Sequence, residues 1–283
     1  MFDIFKNRLE ITGILTTVTA LRIGAGRSTE PIGSDLPVLK DAVGRPIIPG
    51  SSFKGAMRSR LESFLRGIDP SLAKDPSELT SSEQFRIIND LKQNHKNNDA
   101  ALTEALLGVT DLVSQVFGSP WLAGKVQIRD LPVVPSAWFG QYQERDGVAI
   151  DRDTETASDG KLYDFQVVPA NTPFEFHAVV ENAQEWELGL FTIGLHQFET
   201  EQIPLGGGRS RGLGVVQLDI LETYWFDSEG DPQRLLRYLQ ELVRGSRQPL
   251  SPETAQAYRQ DWVEALITKL RTTSQLQPTS IGA

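Results

Sequence analysis

Apolar residues recur along this chain with two different periods, and each change of period marks an element. Across residues 8–21, Leu9, Ile11 and Leu15 share one parity among many threonines, which predicts a β-strand. Residues 22–41 carry glycine and proline and predict a long loop. After a short apolar lead-in at 46–49, the residues Phe53, Met57, Leu61, Phe64 and Leu65 follow helical spacing, so a helix begins there with that face in the core. Ser51 or Ser52 is placed to cap it, and Lys54 and Arg58 lie four apart on a different face. Residues 69–107 are polar, with helical stretches at 82–91 and 100–107, and read as an insertion. Val126 and Ile128 suggest a second strand, and the charged, glycine-containing residues 136–163 a protruding loop or hairpin. Phe174, Phe176, Ala178 and Val180 alternate as a strand does, Trp186, Leu190 and Ile193 suit a helix, and Val216, Leu218 and Ile220 a further strand. Residues 234–270 read as two helices broken near 245–252. The core order is strand, helix, strand, strand, helix, strand. This is an α+β fold on the βαββαβ, ferredoxin-like plan, which does not by itself fix a function.

A length of 283 residues allows one elaborated domain or two small ones. Hydrophobic content of 39% and charged content of 23% are ordinary for a soluble globular protein. The chain has no cysteine, which excludes disulfides, thiolate chemistry and cysteine-based zinc sites. His95, His177 and His196 lie far apart in sequence and give little support to a histidine metal site or a Ser-His-Asp triad. No apolar run is long enough for a bilayer, and the first residues lack a signal-peptide pattern. A cytoplasmic protein without a membrane partner is expected. A net charge of −9 argues against indiscriminate nucleic-acid binding. It leaves room for a local basic groove, because salt confines surface fields to roughly 10 Å. Between positions 40 and 66 the bases Lys40, Arg45, Lys54, Arg58, Arg60 and Arg66 face only Asp41 and Glu62.

Three segments carry candidate chemistry. Residues 205–214 hold five glycines and the arginines Arg209 and Arg211. Glycine lets a backbone approach a large anion closely, and arginine offers a fork of donors for phosphate. The competing reading is a flexible hairpin with two solvated arginines. The run Ile48-Pro49-Gly50-Ser51-Ser52-Phe53-Lys54-Gly55 opens a helix, whose unpaired N–H groups, beside serines and a lysine, make an anion site. It is not a nucleotide-hydrolysing P-loop, since Gly55 follows Lys54 and the glycine spacing differs. The third segment, residues 30–41, places Asp35 in a loop flanked by glycine and proline, where a carboxylate can accept a proton or bind a hard cation. Lone loop aspartates are more often turn formers.

Taken in order, Ile32-Gly33-Ser34-Asp35-Leu36-Pro37-Val38-Leu39-Lys40-Asp41, the run from Ile48 to Gly55, and Gly206-Gly207-Gly208-Arg209-Ser210-Arg211-Gly212-Leu213-Gly214 resemble the RAMP superfamily. Within it they resemble the backbone subunit of type III CRISPR effector complexes. Phe117-Gly118-Ser119 and the pair Val148-Ala149-Ile150-Asp151-Arg152 and Lys161-Leu162-Tyr163 fit as well. The resemblance implies a modified RNA-recognition-motif core over residues 1–226, with a helical insertion at about 67–117, a thumb at about 136–165, and a C-terminal helical extension over 227–283. It implies guide-RNA contacts from Gly50, Ser51, Ser52, Lys54 and Arg58, and from Gly207, Gly208, Arg209, Ser210 and Arg211. Ile150, Asp151 and Arg152 would lie at the thumb's wedge. Asp35 would be the catalytic carboxylate for cleavage of complementary target RNA, and the ligand of a divalent cation, magnesium or manganese. Lys40 or Arg22 would neutralise phosphate. Partners would be guide RNA, target RNA and other subunits of the complex, including neighbouring backbone copies. The alternatives are a non-catalytic backbone subunit, a guide-processing endonuclease of the same superfamily and, more distantly, an unrelated phosphate-binding enzyme on a ferredoxin-like core. Such processing enzymes often use an N-terminal histidine, and here none precedes His95. Many relatives carry zinc in the helical insertion; without cysteine, none is expected. Of the tryptophans, Trp121 and Trp186 read as core, and Trp138 as the candidate for RNA contact.

Overall fold

The computed structural model describes residues 3–26, 35–150 and 157–274. Strand β1 (Asn7–Thr17) alternates buried and half-exposed residues along its whole length, so one face is core and the other is not. A two-residue strand β2 (Ile47–Ile48) leads into helix α1 (Gly50–Ile68). Four helices follow: α2 (Pro76–Leu79), α3 (Ser82–Asn94), α4 (Asp99–Gly108) and α5 (Leu112–Phe117). Next come β3 (Val126–Ile128), β4 (Leu131–Pro132), which pairs with β2, and the antiparallel hairpin β5 (Gln143–Ile150) and β6 (Ala157–Val167). The chain returns through β7 (Pro173–Glu181), α6 (Glu185–Glu199) and β8 (Val216–Asp227), and ends in α7 (Pro232–Arg244) and α8 (Pro252–Thr273).

The fold is α+β around a four-stranded antiparallel sheet in the order β3-β7-β1-β8. Helices α1 and α6 pack together, and Phe53 of α1 stacks on Phe198 of α6 at 4.0 Å and meets Phe176 of β7 at 5.1 Å. Phe53, Met57, Leu61 and Leu65 are buried as the helical period predicts, but Phe64 is 37% exposed and lies under the Arg60 guanidinium at 4.7 Å.

The start of α1 also departs from expectation. The helix opens at Gly50, and neither Ser51 nor Ser52 caps it. Instead Asp130, eighty residues on, accepts the Gly50 N–H at 2.8 Å. A Cβ at Gly50 would sit 2.2 Å from the Ile128 carbonyl oxygen, so only glycine lets α1 begin this close to β3.

The C-terminal helices are tied to the same body. Trp262, Leu266 and Leu270 of α8 belong to the main hydrophobic core, and α8 lies along α6. Tyr238 of α7 stacks on Phe226 at 4.0 Å and on Phe5 at 5.7 Å. Between them Arg247 reaches Glu10 on β1 at 2.8 Å, and His177 on β7 meets the same carboxylate at 2.8 Å. No helix among the described residues is long and apolar enough to cross a membrane.

Candidate nucleic-acid interface

The glycine-rich segment is a built loop. Its ends are clamped by the Leu205 N–H donating to the Gly214 carbonyl at 2.8 Å, and its middle by the Gly207 N–H donating to the Arg22 carbonyl at 2.8 Å. Gly206 has φ +74°, and a Cβ there would lie 2.1 Å from the Arg22 oxygen, so both backbone shape and crowding require glycine. Gly207 is different. A Cβ there would meet nothing nearer than an Arg22 guanidinium nitrogen at 3.9 Å, so the fold itself does not demand a bare backbone at this point. Arg209–Arg211 form a single 3-10 turn between two left-handed glycines, with Arg209 and Ser210 exposed.

This loop faces α1 across a groove of about 560 Å³. Ser51, Ser52, Gly55, Ser59, Arg60 and Ser63 form one wall, and Gly206 and Arg209 stand on the other with residues 202–204. Those α1 positions recur at three- and four-residue spacing, which puts small hydroxyl-bearing side chains on one helical face. Arg60 is the cation of that wall, and its Nε is buried with no hydrogen-bond partner among the described residues. An arginine with an unsatisfied donor, opposite a second arginine and between serines, is suited to phosphate oxygens.

Lys54 and Arg58, the two α1 bases expected at the guide, do not line this groove. Lys54 Nζ donates to the Val126 carbonyl at 2.7 Å, and burial, then the nearby Arg58 charge, push its ammonium below the ordinary value. Arg58 donates to Glu62 at 2.7 Å, to the Gly118 carbonyl at 2.9 Å and to the Ser114 hydroxyl at 3.1 Å. Both side chains lie outside the groove, with their donors committed to fastening β3 and the α5–β3 turn to α1. Arg60 lines the groove in their place, and in the sequence it stands only as one of the six bases between positions 40 and 66. Asp130 carried no sequence signal, and of the β6 residues named next only Tyr163 stood in a motif, Lys161-Leu162-Tyr163.

Arg211 turns away from the groove and donates to the Tyr163 hydroxyl of β6 at 3.2 Å. Arg22 lies over the Phe165 ring of the same strand at 5.1 Å. Asp35 is exposed, and its backbone N–H donates to the Asp164 carboxylate at 2.8 Å, while Leu36 pairs in parallel with Phe165. Residues 163–165 of β6 thus gather Arg211, Asp35 and Arg22 in one place. Ile150 closes β5; Asp151 and Arg152 lie outside the described residues. Trp186 is buried and Trp121 donates to the Thr110 hydroxyl at 2.9 Å, whereas Trp138 is half-buried beside Phe139 and Tyr142.

For a divalent cation the chemistry at Asp35 fits. Its carboxylate is exposed, a second carboxylate sits at its main chain, and both are hard oxygen donors. Among the described residues no three metal-ligating side chains cluster, so phosphate oxygens and water would complete a shell, as is common for magnesium.

The profile of the RAMP superfamily matches residues 14–217, well over half of the sequence. The chain belongs to the RAMP superfamily. Both walls of the groove, Asp35 and the β5–β6 hairpin fall within the RAMP match, and α7 and α8 lie beyond it. Among relatives, the CRISPR system Cms endoribonuclease Csm3 of Enterococcus italicus is 28% identical over 223 residues, covering 77% of this chain and 93% of that protein. The protein of the same name from Methanocaldococcus jannaschii is 28% identical over 221 residues, covering 75% and 79%. That of Mycobacterium tuberculosis is 50% identical over a shorter stretch of 56 residues, 19% of this chain and 24% of the relative.

Proposed function

We propose that this RAMP protein is a guide-RNA-binding backbone subunit of a type III CRISPR effector complex, and that it cleaves complementary target RNA in the cytoplasm. One groove carries this assignment: the serine-rich face of α1 and the glycine-rich loop line the same channel, with Arg60 and Arg209 on its two sides. Backbone and hydroxyl donors with arginines hold a phosphodiester chain in register without reading its bases. Base pairing by the guide then supplies specificity. Relatives named as CRISPR endoribonucleases support the activity.

The strand order β3-β7-β1-β8, with helices joining β1 to β3 and β7 to β8, supports a ferredoxin-like, modified RNA-recognition-motif core over residues 1–226. On that core we place the insertion at about 67–117, the thumb at about 136–165 and the helical extension at 227–283. Guide contacts are assigned to Gly50, Ser51, Ser52, Gly207, Gly208, Arg209 and Ser210, joined by Arg60.

For cleavage, Asp35 accepts the proton of a ribose 2′-hydroxyl as that oxygen attacks the adjacent phosphorus. The bond to the 5′-oxygen breaks and that oxygen takes a proton from water, leaving a cyclic phosphate and a 5′-hydroxyl. Asp164 holds the Asp35 main chain in place, and Arg22, beside both the glycine loop and β6, faces the developing charge on the phosphate. A magnesium or manganese ion at Asp35 would add charge neutralisation at the same oxygens.

Two measurements test the assignment. Chain purified from cells should carry short, nuclease-sensitive RNA, read as a raised ratio of absorbance at the nucleic-acid and protein maxima. In the reconstituted complex Asp35→Ala should abolish target cleavage while guide and target remain bound. Cleavage that persists in Asp35→Ala removes Asp35 from the chemistry; binding without cleavage by the unaltered chain leaves a scaffold role.

A further inference from the structure

At the root of the β5–β6 hairpin lies a cluster that neither the groove nor Asp35 uses. Trp138, Phe139 and Tyr142 form it. The Trp138 ring centroid is 5.4 Å from Phe139 and 5.0 Å from Tyr142. Trp138 is half-buried and packs on the main core, which makes it an anchor. Phe139 stands on it with 62% of its surface exposed. Tyr142 is fixed by donating its hydroxyl to the Gly44 carbonyl at 2.7 Å. Lys40 lies over the Tyr142 ring at 4.4 Å, so one aromatic face already holds a cation while the Phe139 ring is open.

A hydrophobic core does not account for this arrangement. A phenylalanine that served packing would turn inward beside Trp138. Here the Phe139 ring is held outward against Trp138 with no other described aromatic ring in contact, and the exposed Lys40 ammonium lies over Tyr142, the other aromatic neighbour of Trp138. An open aromatic face and a lysine within one cluster match one repeating chemistry: a flat base followed by a phosphate. The segment also leads toward the reaction centre, since Lys40 follows Asp35 by five residues.

We propose that Trp138, Phe139, Tyr142 and Lys40 form a stacking site for one unstacked nucleobase of an RNA strand, with Phe139 as the platform and Lys40 on the neighbouring phosphate. The site rests on the RNA-binding function assigned above and adds a base contact to a groove that holds only the backbone. Stacking on a π-face tolerates any base, so the site orders a nucleotide without choosing its sequence.

The test is photocrosslinking of the assembled protein–RNA complex with RNA that carries 5-iodouridine at successive single positions, followed by peptide mapping. The expected result is a crosslink within residues 138–142 from a restricted set of positions. Phe139→Ala should lower its yield about fivefold or more, and Phe139→Trp should restore it. RNA retained by the complex with no crosslink in that peptide, or with equal yield from Phe139→Ala, overturns the stacking site and leaves the groove assignment standing. A complex that retains no RNA overturns both. A Phe139→Ala variant that loses self-association while crosslinks stay unchanged overturns the site and assigns the patch to protein contact.

Discussion

At Gly55 an added methyl group would meet no atom within 4 Å, and the backbone there is an ordinary helical turn. Glycine inside a helix costs about 0.5–1 kcal/mol relative to alanine, so the fold alone would favour alanine. Gly55 lines the groove, and its bare surface leaves room for a backbone to lie against α1. Gly55→Ala should therefore raise stability by about 0.5–1 kcal/mol in urea unfolding and at the same time weaken RNA retention. A gain in stability with unchanged retention would show that nothing approaches this face. Glu10 offers a second residue-scale prediction. Burial acts to raise its pKa, but hydrogen bonds from Arg247 and His177 and the charges of Arg247 and Arg8 outweigh it and bring the value down to about 2. A carboxylate lowered on folding stabilises the fold above its unfolded value of about 4.5, and that contribution is lost as pH falls toward 2. Stability measured against pH should decline through this acid window, and Glu10→Gln should decline less steeply there.

On the scale of elements, the placing of α1 depends on two features remote from its own hydrophobic stripe: the Asp130 carboxylate at its first N–H, and the missing side chain at Gly50. Gly50→Ala would drive a methyl group into the β3 carbonyl. It should destabilise the chain by about 1–3 kcal/mol, checked by chemical denaturation, and shift the serine face relative to the loop. The elements themselves were legible from periodicity because a core face must repeat with the geometry of its backbone. Phe174, Phe176, Ala178 and Val180 all proved buried on β7, and both C-terminal helices lie where the break near Gly245 placed them. Capping was not legible. A cap from residue 130 is a contact between distant segments, and local residue types at Ser51 and Ser52 carry no trace of it.

For the whole molecule, two predictions concern how the parts act together. Arg60 and Arg209 approach one groove from separate elements, so replacing both with alanine should weaken RNA binding and flatten its salt dependence. The slope of log affinity against log salt should fall by about 1.4 for two lost contacts to single-stranded RNA. An unaltered slope would place the RNA elsewhere. The C-terminal helices contribute Trp262, Leu266 and Leu270 to the main core, and Trp225 of β8 meets Trp262 at 5.3 Å. Truncation before α7 should therefore expose apolar surface on β8 and α6 and lower the thermal midpoint of the rest of the chain, although these helices lie outside the stretch matched by the family.

The sequence alone determined the order of the main strands and helices, the glycine-rich loop and the order of motifs, because each depends on residues close together along the chain. Tertiary structure alone decided which side of α1 meets that loop. Arg58 and Arg60 are two residues apart, which is about 200° around a helix, so turning one toward the groove turns the other away. That rotation is set by the burial of Phe53, Met57 and Leu61 against α6 and the sheet, and by the seat that Gly50 takes beside β3. No local pattern of charge records it, which is why Lys54 and Arg58 stood out in the sequence while Arg60 stands in the groove.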